Sequence, residues 1–277
     1  MEILSYDFMQ RALMAGIMVS LLCSFIAFFV ILRRLAFIGV GISHSAFGGV
    51  AMGVVMGINP IFTAALFSIL VAWLIGVVSK KGQIHEDAAI GIFFSAAMAL
   101  GVALISLSHS YNIDLFGYLF GNILSVSVED LWTVGILGAI TLLTLILFFK
   151  ELLFISFDEE VARVSGLPVE LLNYLLLILM ALTIVVSIKV VGLVLASALL
   201  VIPAATGYQL ARNYRLMLAI SLLCGVSSSI LGLWLSYQYD LASGATIVLC
   251  STLFFFLSMI FSPRQKLIGR LIRSRLG

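Results

Sequence analysis

Apolar residues run along this chain in long continuous blocks, neither alternating nor confined to one-sided helical stripes. Blocks of roughly twenty residues fall at 12–32, 37–57, 61–79, 88–108, 131–149, 171–188, 190–211, 216–236 and 244–262. A helix needs about 20 largely apolar residues to cross the hydrocarbon of a bilayer. A membrane barrel would instead alternate over segments of about 10 residues. Backbone polar groups find no water inside lipid, so continuous runs must satisfy their hydrogen bonds as helices. The pattern predicts an all-α integral membrane protein, a polytopic bundle of about 8–9 transmembrane helices, read as one domain over 1–277. The first block is too long for a cleavable leader and has no basic stretch before it, so it reads as a retained span. Region 171–211 is the least regular, because Lys189 alone separates two runs and Pro203 is placed to break the second.

Composition agrees with the pattern. Apolar side chains make up 63% of the chain, charged ones 10%, and the mean hydropathy is +1.24. Soluble domains carry about 25% charged residues, so this chain lacks the polar surface to cover a water-soluble core. The net charge is only +2. No basic block is interleaved with aromatics, which argues against nucleic acid as a partner. Cys23, Cys224 and Cys250 lie in apolar runs without paired spacing, and read as small buried hydrophobes.

The placement of charge gives an orientation. If 33–36, 80–87, 150–170, 212–215 and 263–277 share one side, that side holds Arg33, Arg34, Lys80, Lys81, Lys150, Arg163, Arg212, Arg215, Arg264, Lys266, Arg270, Arg273 and Arg275. The other side keeps Arg11 and Lys189. Cytoplasmic loops are the ones enriched in Lys and Arg. The N-terminus is therefore expected outside and the C-terminus in the cytoplasm. Two longer segments lie between spans. The outer one, 109–130, has acids and no bases. The inner one, 150–170, is rich in charge, with Asp158 placed to cap a short helix that Gly166 and Pro168 would end.

The spans hold almost no ionisable group. His44 is the exception, about 15 Å beyond Arg34 at a helical rise of about 1.5 Å per residue. Intramembrane ionisable residues commonly line ion or substrate paths, and neutral imidazole is a common metal ligand. A histidine bonded to a backbone carbonyl is the bland alternative. Gly41, Ser45, Gly49, Gly53 and Gly57 share one face of the same span, and Gly91, Ser95, Ala99 and Ala103 form a second ladder. Both ladders read first as close helix packing. The acid clusters Glu86–Asp87, Glu129–Asp130 and Asp158 to Glu160 fall in loops or helix starts, with no second titratable group at membrane depth for acid–base chemistry. A phosphate-binding loop of the GxxxxGK[ST] type is also missing, so ATP is not expected to bind this chain.

Six fragments in order, RRLAFIGVGISHSAFGGVAMG (33–53), EDAAIGIFFSAAMALGV (86–102), DLFGYLFGNILSVSVEDL (114–131), FDEEVARVSGLPVE (157–170), KVVGLVLASALLVIPAATGYQLAR (189–212) and SGATIVL (243–249), together resemble the zinc/manganese/iron permeases of ABC importers. The resemblance covers nearly the whole chain. It implies a type II importer-like bundle in a prokaryotic cell membrane, paired with a second copy of itself and with two ATP-binding cassette ATPase subunits. It also implies an extracellular or periplasmic metal-binding protein that delivers a divalent ion. The chain itself would hold no cofactor, with ATP bound by the partner subunits, and would not be an enzyme. By the same resemblance, about 157–168 would be the coupling segment, with Glu160, Ala162, Arg163 and Gly166 on it. There the small Ala162 and Gly166 would permit close docking.

Many members of that family carry Asp and His four residues apart at the position of Val40 and His44. Here the histidine is present and the aspartate is not. Loss of a carboxylate should penalise a hard, oxygen-preferring ion more than zinc, so zinc is the expected cargo. Asp114, at the outer entrance, is a candidate for the missing negative charge. Two rival readings are a permease for a metal chelate such as a siderophore or cobalamin, and a secondary carrier running without an ATPase. A membrane-embedded enzyme would need paired acids or a nucleophile at membrane depth, and none is read.

Overall fold

The computed structural model describes residues 6–81, 85–107, 121 and 123–262. Four long helices come first: α1 (Asp7–Leu32), α2 (Ala36–Met56), α3 (Pro60–Lys81) and α4 (Glu86–Leu107). A 3₁₀ turn at Ile123–Ser125 leads into α5 (Val128–Leu147), and α6 (Phe149–Phe157) and the short α7 (Glu159–Val164) follow. The chain closes with α8 (Val169–Leu199), α9 (Ile202–Leu210), α10 (Tyr214–Tyr239) and α11 (Ser243–Ile260). Among the described residues, nine segments are long and apolar enough to cross a membrane. They match the nine runs in the sequence, with ends that differ by a few residues.

The irregular region resolves into two legs of a hairpin. Val169–Ile188 and Val190–Leu210 each qualify as a span. Gly192 stands between the main parts of the two legs at φ 79° and ψ 169°, a backbone conformation open to glycine and strained for any L side chain. The reversal is visible from α2. A Cβ built on Gly39 would lie 3.7 Å from both Met180 and Leu200. Those residues would be about 30 Å apart on a straight helix. Pro203 does mark a break, since α9 restarts at Ile202 with proline in its first turn, the position where a missing N–H costs nothing.

Packing separates a core from a shell. α1, α2 and the two hairpin legs bury most of their residues, whereas α3, α4, α5 and α11 bury a third or less of theirs. Leu66, Ile92, Leu147 and Ile260 are among the large apolar side chains that point outward, as lipid-facing residues should. Glycines set the closest approaches. A Cβ on Gly49 would fall 2.7 Å from the Ala64 Cα of α3, and one on Gly48 would fall 2.7 Å from the Ala97 carbonyl oxygen of α4. Gly41 meets Ile90 and Gly53 meets Thr63 in the same way. The first small-residue ladder therefore packs α2 between α3 and α4. The second ladder does not pack within the subunit: Ser95, Ala99 and Ala103 are exposed, and nothing lies within 4 Å of a Cβ on Gly91.

Three loops assigned to one membrane face do meet. Arg34 after α1, Phe157 at the end of α6, and Arg212 between α9 and α10 line a single cavity. The grouping of basic segments on one side is thus a geometric fact for these three. At the opposite end, a Cβ on Gly121 would lie 2.6 Å from the Val191 carbonyl oxygen, so the segment before α5 rests on the hairpin turn.

Candidate metal path and coupling helix

His44 is the ninth residue of α2, about 12 Å from its start and hence well inside the membrane. Its Nδ1 lies 3.0 Å from the Val40 carbonyl oxygen, one turn earlier. A carbonyl only accepts, so Nδ1 carries the proton and Nε2 keeps the lone pair that a metal would take. The hydrogen bond of the bland reading and the free nitrogen of the functional reading thus coexist in one tautomer. The Phe94 ring of α4 meets the imidazole edge-on at 5.1 Å, which limits its rotation. Phe94 escaped the sequence reading because an aromatic in an apolar run carries no signal of its partner.

The imidazole is half-buried while its neighbours Ser43 and Ser45 are fully buried. Phe37, Val40 and His44 follow one another at three and four residues, and they form the least covered stripe of the first half of α2. Among the described residues, no three His, Cys, Asp or Glu side chains gather as a metal site. Asp114 lies outside the described residues.

Segment 157–168 folds as its sequence predicts. Asp158 caps α7, its carboxylate accepting the Val161 N–H at 3.0 Å. At the other end, Gly166 at φ 84° lets Leu167 N–H reach the Ala162 carbonyl at 3.2 Å and Gly166 N–H reach that of Arg163 at 3.1 Å. This is a Schellman closure, which needs the left-handed residue that glycine supplies. Glu160 and Arg163 are exposed on α7, and Arg163 pairs with Glu159 at 3.4 Å. Glu159 also accepts from Arg33 at 3.3 Å, tying α7 to the turn between α1 and α2. Sequence spacing gave no hint of this pair, because its members are far apart in the chain.

Ala162 is fully buried within its own subunit. The outward surface of this segment is instead apolar: Phe157 is 65% exposed, Val161 50% and Val164 89%. These three large apolar groups lie beyond the membrane-crossing helices and are not covered by their own subunit.

Comparison with known proteins places these features. The model of the ABC 3 transport family matches residues 5–262. The manganese transport system membrane protein MntC of Halalkalibacterium halodurans is 40% identical over 274 residues, covering 99% of this chain and 94% of that protein. The manganese import system permease protein ScaB of Streptococcus gordonii is 38% identical over 269 residues, 97% of this chain and 96% of that one. Among solved structures, PsaBC from Streptococcus pneumoniae in complex with Fab superposes with a TM-score of 0.85 at 38% identity, covering 94% of each chain.

Proposed function

The chain belongs to the ABC 3 transport family and is a metal-transport permease; on that premise we propose that it is the membrane subunit of an ATP-driven manganese importer. Manganese replaces the zinc expected from Val40, because relatives of nearly full length are named for manganese. The inference from Val40 weighed a single side chain on one helix, whereas an ion path draws its ligands from several elements and from carbonyl oxygens as well.

The observation that carries the reading is the His44 geometry: Nδ1 sits on the Val40 carbonyl, which leaves Nε2 for an ion on a half-covered stripe deep in the membrane. Two copies of the chain face one another across that stripe, each bringing one imidazole, and Asp114 adds negative charge at the outer mouth. A binding protein on the outside hands the ion over. Two ATPase subunits in the cytoplasm grip α7, with Val161 and Val164 as the apolar contact and Glu160 and Arg163 at its rim. Gly166 shapes the end of that helix. The protein lies in a prokaryotic cell membrane with its N-terminus outside, its C-terminus inside and residues 1–277 acting as one permease domain.

The test is ion uptake by proteoliposomes holding the permease, its ATPase and the binding protein. Uptake of manganese should require ATP, exceed that of zinc, and fall at least tenfold in His44→Leu while the complex still assembles. Uptake without ATP, or an unaltered rate in the variant, would refute the mechanism.

A further inference from the structure

At the rim where the helices meet the cytoplasm, the ends of α1, α6 and α9 and the start of α10 surround a cavity of about 520 Å³. Arg34 and Arg212 reach it from two of those ends, with Tyr208, Tyr214, Asn213 and Ser156 as further polar lining. Ile31, Leu32, Phe157 and Met217 form its apolar wall. Among the described residues no acidic side chain lines it and neither arginine has an ion-pair partner. Arg34 is held there at φ 60°, a left-handed conformation uncommon outside glycine, asparagine and aspartate. That backbone closes α1, with Leu35 N–H bonded to the Val30 carbonyl at 2.8 Å, and it sends the Arg34 side chain out of the α1–α2 turn.

We propose that this cavity binds the phosphate headgroup of an anionic phospholipid of the cytoplasmic leaflet. Three features specify the ligand. Two guanidiniums with no acidic partner among the described residues call for an anion, and arginine matches phosphate with paired N–H donors. Two tyrosines in the lining suit the headgroup layer, where amphipathic rings concentrate. Helix ends on all sides set the depth at the membrane surface, where basic pockets between helices take lipid headgroups. Phe157 joins the cavity directly to Asp158 and α7. A bound headgroup therefore braces the base of the coupling helix against α1 and α10. The inference depends on the membrane-spanning bundle and not on which ion is carried, so it stands or falls apart from the manganese reading.

The experiment uses the assembled permease–ATPase complex in nanodiscs of phosphatidylcholine with and without phosphatidylglycerol, reading retained lipid by native mass spectrometry. Wild type should retain phosphatidylglycerol in preference to phosphatidylcholine, and the Arg34→Gln/Arg212→Gln variant should lose roughly 30-fold of that preference. Arg212→Lys, which keeps the charge, should retain most of it and so controls for misfolding. Retention by the double variant equal to wild type overturns the site. Displacement of the lipid by millimolar inorganic phosphate would assign the cavity to a soluble anion and overturn the lipid. Release of the ATPase from the double variant, with no lipid preference in wild type, would make the cavity part of the protein interface instead.

Discussion

Ala162 and Val164 sit two residues apart on α7 and face opposite ways, one fully buried and one 89% exposed. Arginine at Ala162 would bury an unpaired charge, a change of order 3–5 kcal/mol against the fold. Loss of the folded permease is the expected outcome, seen as reduced yield and early thermal unfolding. Arginine at Val164 meets only solvent in the free subunit, so the fold should be unchanged. Removing an apolar anchor from a docking surface costs about 2 kcal/mol or more, hence roughly 30-fold in affinity for the ATPase. A pull-down with the purified ATPase checks this, and equal binding by Val164→Arg would rule out α7 as the contact. Gly166 is a poorer probe, because any side chain there strains a φ of 84° before it touches a partner. The sequence made His44, Asp158 and Gly166 legible, since each stands out chemically from its surroundings. It could not say which way Ala162 points, because a six-residue helix is too short to show a hydrophobic periodicity.

The helices repeat this contrast between what a pattern states and what packing adds. Nine spans were readable because lipid demands continuous apolar runs, and helix starts were readable where a polar cap interrupts them. Asp158 shows the second case, whereas the reciprocal capping box of Ser127 and Asp130 at α5, with bonds of 3.2 and 3.1 Å, was not read from the sequence. The two small-residue ladders looked alike in sequence, yet one is packed and the other bare, because spacing defines a face and not its neighbour. Substitutions should separate them. Gly49→Val pushes a side chain into the Ala64 backbone and the Phe67 side chain, and overpacking of this kind costs about 1–3 kcal/mol. Gly91→Ala meets open space and should leave subunit stability unchanged or slightly raised by helix propensity. Thermal unfolding of the detergent-solubilised subunit distinguishes them, and equal midpoints would contradict the packing of α2 on α3.

At the scale of the whole molecule, the arrangement makes sense only if the two faces are chemically distinct, so topology is its most exposed claim. The convergence of Arg34, Phe157 and Arg212 shows that three basic segments share a face, and by the charge rule that face is the one expected to be cytoplasmic. The turn between α2 and α3 must lie on the other side, because α2 crosses once between them. Single-cysteine labelling tests this directly. Cys23 and Cys224 are buried and should stay silent toward a maleimide, so Cys250 alone needs replacing by alanine. In that background, Ile58→Cys, on the turn after α2 and 47% exposed, should react in intact cells with a membrane-impermeant maleimide. Val164→Cys should react only after the membrane is opened. Adding the ATPase to inverted vesicles should then slow labelling at Val164 and leave a cysteine at solvent-facing Asp87, on the same face, unaffected. Reaction at Val164 from outside the cell would invert the orientation and remove α7 from any ATP-driven partner, whatever ion the bundle carries.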